Sequence, residues 1–207
     1  MLPLLVGHQT IQRVDGARYS EYSARVILMK TAIVVGLMLA GCCAAQQYTK
    51  GGELVLPKDY RGWVFLSSGI GMTYSNAPAS APPVFDNVFV NPAAYAGFLK
   101  TGVWPDKTVL LTENRASGSH ASNANGRFQT DLLGFEAHVK DSRRGGWNFY
   151  RIEKGAASGK ALPKTASCYS CHEKNGAADT TFVQFYPTLI EAARRMGTFR
   201  DGGDVAP

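Results

Sequence analysis

Cysteine is scarce in this chain and unevenly placed: four in 207 residues, two of them adjacent at Cys42 and Cys43 and two at Cys168 and Cys171. The first pair closes a leader-like segment and the second belongs to a tight motif, so no pair is left for a structural disulfide. No apolar run is long enough to span a bilayer, since Thr31 to Ala40 falls well short of the roughly 20 residues that a crossing helix needs. Methionine is almost missing beyond the leader, where only Met72 and Met196 occur. There are no internal repeats, and the alternating apolar runs exclude a bundle of four long amphipathic helices. The net charge of +6 and pI near 9.2 come partly from the leader and are otherwise dispersed, which argues against a nucleic-acid surface. Lys164, Lys174, Arg194, Arg195 and Arg200 read either as a solvated face or as a basic rim for an acidic redox protein.

What is present is concentrated in Cys168-Tyr169-Ser170-Cys171-His172. C-x-x-C-H is the attachment signature of a c-type haem: two thiols add to the two vinyl groups as thioethers, and the adjacent histidine becomes the proximal iron ligand. A zinc site would need a second pair of ligands, and no second C-x-x-C follows. The expectation is one haem c, bound through Cys168 and Cys171, with His172 on the metal.

The leader fits that chemistry. Met29-Lys30 followed by Thr31 to Ala40 has the charged start and short apolar core of an export signal. Residues 1–28 then read as a mis-assigned start or an extension, residues 29–45 as the signal and residues 46–207 as one domain. Cleavage is open between a site before Gln46 and a lipobox, Leu39-Ala40-Gly41-Cys42, whose cysteine would carry a lipid anchor. Covalent haem attachment outside the bacterial inner membrane makes the periplasm the expected compartment.

Along the presumed mature domain, strands are expected at Trp63–Leu66, Val84–Val90, Thr108–Glu113, Phe128–Lys140 and Trp147–Glu153. Helices are expected after Asn91-Pro92 up to Gly102, around the haem motif from Thr165 to Gly176, and from Thr188 to Met196. Ser67-Ser68-Gly69 reads as a strand stop and Ala116 to Gly126 as a polar loop. The order implies α+β architecture, mainly an antiparallel sheet with short helices and a haem-bearing helix near the C-terminus.

Several separated runs then carry a resemblance. Leu56 to Trp63 (LPKDYRGW), Asn87 to Pro92 (NVFVNP), Gly102 to Asp106 (GVWPD), Val139 to Ser142 (VKDS), and Cys168 to His172 followed by Phe182 to Pro187 (FVQFYP) resemble, in that order, the cytochrome P-460 family. The resemblance implies a β-sheet fold, often a homodimer, around a five-coordinate haem open to small ligands. Its members include hydroxylamine-oxidising P-460 cytochromes and the related cytochromes c′-β, which bind nitric oxide. In the former a lysine on the strand after the G-x-W/F-P-D-like turn is cross-linked to the porphyrin. The resemblance puts Thr112 at that position, and threonine has no amine to make the bond; Lys100 and Lys107 lie upstream.

Phe65 and Phe89 are the aromatic candidates for a cap over the vacant iron face, although each suits a sheet core equally well. Glu113, Arg115, Arg127, Asp131, Glu136 and Asp141 are candidates for proton relay or electrostatic roles. Alternation of Phe135, Ala137 and Val139 with Glu136, His138 and Lys140 directs the last three to solvent, leaving His138 and the loop residue His120 weak as sixth ligands. Met196 reads as helix core and Met72 as part of a loop. Three functions stay open: a gas-binding cytochrome, an oxidoreductase acting on hydroxylamine or nitric oxide, and an electron carrier.

Overall fold

A computed structural model describes residues 46–72 and 82–200, which fall within one compact unit spanning Ala44–Pro207. The expected export signal, lipobox and first 28 residues lie outside the described residues.

Among the described residues seven strands form one antiparallel sheet: β1 (Leu54–Val55), β2 (Val64–Ile70), β3 (Phe85–Val90), β4 (Val109–His120), β5 (Asn123–Asp141), β6 (Gly146–Glu153) and β7 (Ser158–Ala161). Their spatial order is β1-β7-β6-β5-β4-β3-β2, so neighbours in sequence are neighbours in the sheet until the short β1 closes the far edge against β7. Among the described residues three α-helices accompany it: α1 (Pro92–Thr101), α2 (Ser167–Asn175) and α3 (Pro187–Arg195). This is the α+β arrangement expected from the order of apolar runs.

Each face of the sheet carries a buried cluster. On one, Leu66, Val90 and Leu110 pack with Phe98 of α1, Leu189 and Ala193 of α3, and Trp104. On the other, Val109, Leu111, Phe135, Ala137, Val139, Tyr150 and Ile152 pack beneath Leu54, Tyr60 and Trp63 from the N-terminal segment. Successive residues of β4 thus serve different cores, as the two-residue period of a strand requires.

Helix α1 follows the expected logic at its end, where Gly102 takes the left-handed conformation at φ 70° and its amide bonds back to Phe98. At its start, Asn91 makes no side-chain cap; its Oδ1 instead accepts from the Val109 amide at 2.8 Å, tying the helix entrance to β4.

Two boundaries differ from the sequence expectation. Strand β2 runs through Ser67-Ser68-Gly69, because the backbone of β3 pairs with it through Phe85–Ile70 across a bulge between Phe65 and Ser67. The polar stretch from Ala116 to Gly126 is the tip of a long β4–β5 hairpin, with His120 opposite Asn123. Backbone pairing alone sustains a strand there, and the largely exposed side chains account for the polar composition.

Candidate functional site

Helix α2 carries the attachment motif. Cys168, Cys171 and His172 are spaced i, i+3 and i+4, which puts them on one face, and that face borders a cavity of about 400 Å³ between α2 and the sheet. Both thiols are free and half-buried. The floor comes from the sheet through Val88, Leu110, Thr112 and His138, and the segment after α2 contributes Phe182, Phe185 and Tyr186.

The geometry of His172 suits a metal ligand. Its Nδ1 lies 3.0 Å from the Thr180 carbonyl oxygen, which can only accept, so Nδ1 carries the proton and Nε2 keeps its lone pair. Burial pushes the imidazole pKa below its usual value, opposed by the Thr180 bond and the charge of Glu136. A neutral ring with its second nitrogen anchored to a carbonyl is the form that metal-binding histidines adopt. Phe182 and Phe149 pack on the ring at centroid distances of 4.3 and 4.6 Å, fixing its plane.

His138 supplies an independent sign of a missing partner. It is buried on β5 between Trp147 and Phe149, each 4.1 Å away between centroids, and neither ring nitrogen has a hydrogen-bond partner in the structure. Burial drives its pKa well down. Two thiols one helical turn apart and an imidazole with its Nε2 free form a donor set that fits haem c, and the orphaned imidazole of His138 lies beside them in the cavity wall.

Across the cavity floor, Val88, Thr112 and Glu136 stand side by side on β3, β4 and β5. Thr112 therefore faces the cavity at mid-sheet. In the next row, Asn114 donates to Asp86 at 2.7 Å, and both line the cavity together with Ser67 and Met72. Burial raises the Asp86 carboxyl above its ordinary range; the Asn114 bond opposes the shift and the Glu136 charge adds to it.

Phe65 and Phe89 are on the other face of the sheet, which corrects their reading as a cap. They pair across β2 and β3 in register with Leu111 of β4, in the row that packs on Tyr60. The bulge after Phe65 then presents Ser67, not an aromatic ring, to the cavity. Phe65 is 52% exposed.

His138 is likewise not directed to solvent. The residues between Phe135, Ala137 and Val139 lie on the face towards α2 and the cavity, where His138 is buried while Glu136 stays exposed beside Arg151. Lys140 on the same face bonds Asp179 at 2.8 Å. Of the proton-handling candidates only Glu136 reaches the cavity; Glu113 is buried on the far face with Tyr60, Arg61 and Arg115, and Asp141 is held by Lys107 and Tyr48. Met196 is 42% exposed instead of core, whereas Met72 borders the cavity. His120 bonds Ser122 at the exposed hairpin tip. In the proposed basic rim, Lys164 bonds the Trp147 carbonyl and Arg200 bonds carbonyls at the end of α2.

Sequence reasoning missed Asp86, Asn114 and Ser67. The alternation of Asp86 with Phe85 and Asn87 was the available signal: once the aromatic row is assigned to the covered far face, the acid faces the motif.

Residues 57–183, more than half of the chain, match the family model described as Cytochrome P460. The match takes in the sheet floor, Thr112, the whole attachment motif and Phe182. A comparison with curated proteins gave no match.

Proposed function

The chain belongs to the cytochrome P460 family and is a haem c-type cytochrome, and on that footing we propose that it is a periplasmic, five-coordinate gas-binding protein of the c′-β kind, with nitric oxide as ligand. Cys168 and Cys171 would hold one haem through two thioethers and His172 would bind its iron. When bound, the haem would supply the iron that takes a small nitrogen oxide.

One observation carries this reading: Thr112 faces the cavity where the resemblance puts the cross-linking lysine, and no lysine lines the cavity among the described residues. Lys107 is engaged with Asp141 at 2.5 Å, and Lys100 lies on α1, so neither contributes to the cavity wall. Leu110, Val88 and Phe182 give the cavity apolar surface that favours a neutral diatomic over water. A homodimer is part of the same proposal, supported by Phe65 and Ile70 exposed on the sheet face away from the cavity.

A second reading, oxidation of hydroxylamine, has its own support in the cavity carboxylates. Asp86, with its raised carboxyl and Asn114 partner, can hold a proton at a pH where most aspartates have lost theirs. The two readings separate in one experiment on the matured, haem-loaded protein. Gas binding expects a high-spin resting spectrum, stoichiometric nitric oxide binding and little hydroxylamine turnover; rapid turnover that falls about 100-fold in Asp86→Asn would favour the enzyme. A low-spin resting spectrum would favour the electron carrier with a periplasmic redox partner.

A further inference from the structure

The chain leaves α2 through a turn that its residues do not favour. Asp179 and Thr180 both adopt left-handed backbone, φ 47° and 56°, between Ala178 and Thr181, which pair as an isolated antiparallel bridge. Two consecutive left-handed residues are commonest as Asn or Asp followed by Gly, and a β-branched threonine in the second place is a marked outlier. Such a conformation persists only where surrounding contacts over-determine it.

Those contacts converge on the Asp179 carboxylate. Its oxygens accept from the Trp104 amide at 3.2 Å, from Lys140 Nζ at 2.8 Å and from Trp147 Nε1 at 3.2 Å. The donors come from the segment after α1, from β5 and from β6. Thr181 reinforces the clamp, accepting from Trp104 Nε1 at 2.8 Å and donating to the Ala178 carbonyl at 2.7 Å. Gly176 allows the close approach, because a Cβ there would lie 2.6 Å from the Thr180 carbonyl carbon and 2.7 Å from the His172 oxygen.

The product of this construction is the direction of a single carbonyl. Thr180 O meets Nδ1–H of His172 at 3.0 Å. We propose that Asp179 is a positioning residue for the proximal ligand: by pinning the turn to three elements, it holds the Thr180 carbonyl on the His172 imidazole and so sets how strongly that imidazole donates to iron. The inference rests on the reading of His172 as the proximal ligand. Hydrogen bonding from Nδ1–H raises imidazole basicity, and a more basic axial ligand favours the ferric state.

Resonance Raman spectra and redox titrations of the haem-loaded protein test it. Asp179→Ala is expected to lower the Fe(II)–histidine stretching frequency and move the midpoint potential positive, with Trp147→Phe shifting both the same way by less. Asp179→Asn should shift both in the same direction by less than Asp179→Ala, since asparagine tolerates the left-handed turn and its Oδ1 still accepts on one side while its amide nitrogen loses the donors on the other. If Asp179→Ala does not mature, Lys140→Met removes one donor and keeps the carboxylate, and the same direction of shift is expected. Variants that lose thermal stability while band and potential stay at wild-type values would overturn the proposal and leave Asp179 a purely structural anchor. Failure of the underlying reading would look different: the wild type itself would show no iron–histidine band.

Discussion

The imidazoles of His138 and His172 meet edge to face with 4.7 Å between ring centroids. That separation leaves no room for an iron and its macrocycle between them, so His138 cannot be the sixth ligand opposite His172. It is instead a buried imidazole whose two nitrogens await a partner.

His138→Phe therefore has opposite consequences in the two states of the protein. Without haem, removing an unsatisfied buried imidazole should raise stability by about 1–2 kcal/mol, because phenylalanine suits the stack between Trp147 and Phe149. With haem attached the gain should shrink or reverse, since the wild-type imidazole then has polar groups or ordered water at the cavity to bond. Thermal unfolding of the unloaded and loaded variant checks this, and equal gains in both would show that His138 has no partner in either.

Glu113 governs an acid limb of stability. Burial alone would raise its carboxyl, but hydrogen bonds from Tyr60 and Arg115, with the charges of Arg115 and Arg61, hold it below the usual range. A lowered folded-state value means that the stabilisation is complete above the ordinary glutamate range and is lost as pH falls through the lowered value. Glu113→Gln should cost about 2 kcal/mol at neutral pH and flatten the acid side of a plot of unfolding free energy against pH. Burial, with the bond to Glu113 and its charge adding and the charges of Arg61 and Arg115 opposing, pushes the Tyr60 hydroxyl up to about 12, so Tyr60 remains a donor throughout that plot.

Asp86 has the opposite sign. Its raised carboxyl favours folding fully below the ordinary aspartate range, and that contribution fades as pH rises through the raised value. Asp86→Asn should remove this fall while leaving the Asn114 side opposite a neutral amide, with a change in stability of about 1 kcal/mol or less at neutral pH. Denaturant midpoints across the acid range give the comparison, and an unchanged fall in the variant would reassign it to another group.

Much of this arrangement could be read from residue order alone. Two-residue alternation placed β3, β5 and β6, and Asn91-Pro92 with Gly102 bounded α1 to within a residue. What failed has a common physical cause: alternation says that two faces differ but not which of them meets water. With a core against each face, Phe89 packed on the one opposite the motif, Phe65 stayed half exposed on that same face, and His138 turned inward. The turn at Asp179 was also out of reach, because neither residue announces left-handed backbone and its anchors, Trp104, Lys140 and Trp147, lie 32 to 75 positions away in sequence.

Gly176→Ala should show how tightly that turn seats on α2. A methyl group would fall inside contact distance of backbone at Thr180, Thr181 and His172, none of which can rotate away as a flexible side chain would. Relief requires the turn to lift from the helix end, at a cost of about 1–3 kcal/mol. A melting temperature equal to wild type would mean that the turn yields freely.

On the proposed reading, the position that separates the two functions is Thr112. It stands between Val88 and Glu136 on the cavity floor, so a long side chain there would point at whatever fills the cavity. If the wild-type haem is held by Cys168 and Cys171 alone, mass spectrometry of a digest should recover the α2 peptide with one haem and no peptide from β4 attached to it. Nitric oxide should bind while hydroxylamine turns over slowly. Thr112→Lys introduces the amine at that position, and a red-shifted reduced spectrum together with a third covalent link in the digest would identify the residue as the divide between the two readings. The physical basis is that a lysine joined to the porphyrin edge distorts the macrocycle and alters its electronics, one of the protein's levers on haem reactivity. A third link in the wild type, from Lys100, Lys107 or any other lysine, would defeat the gas-binding proposal and restore the oxidoreductase one.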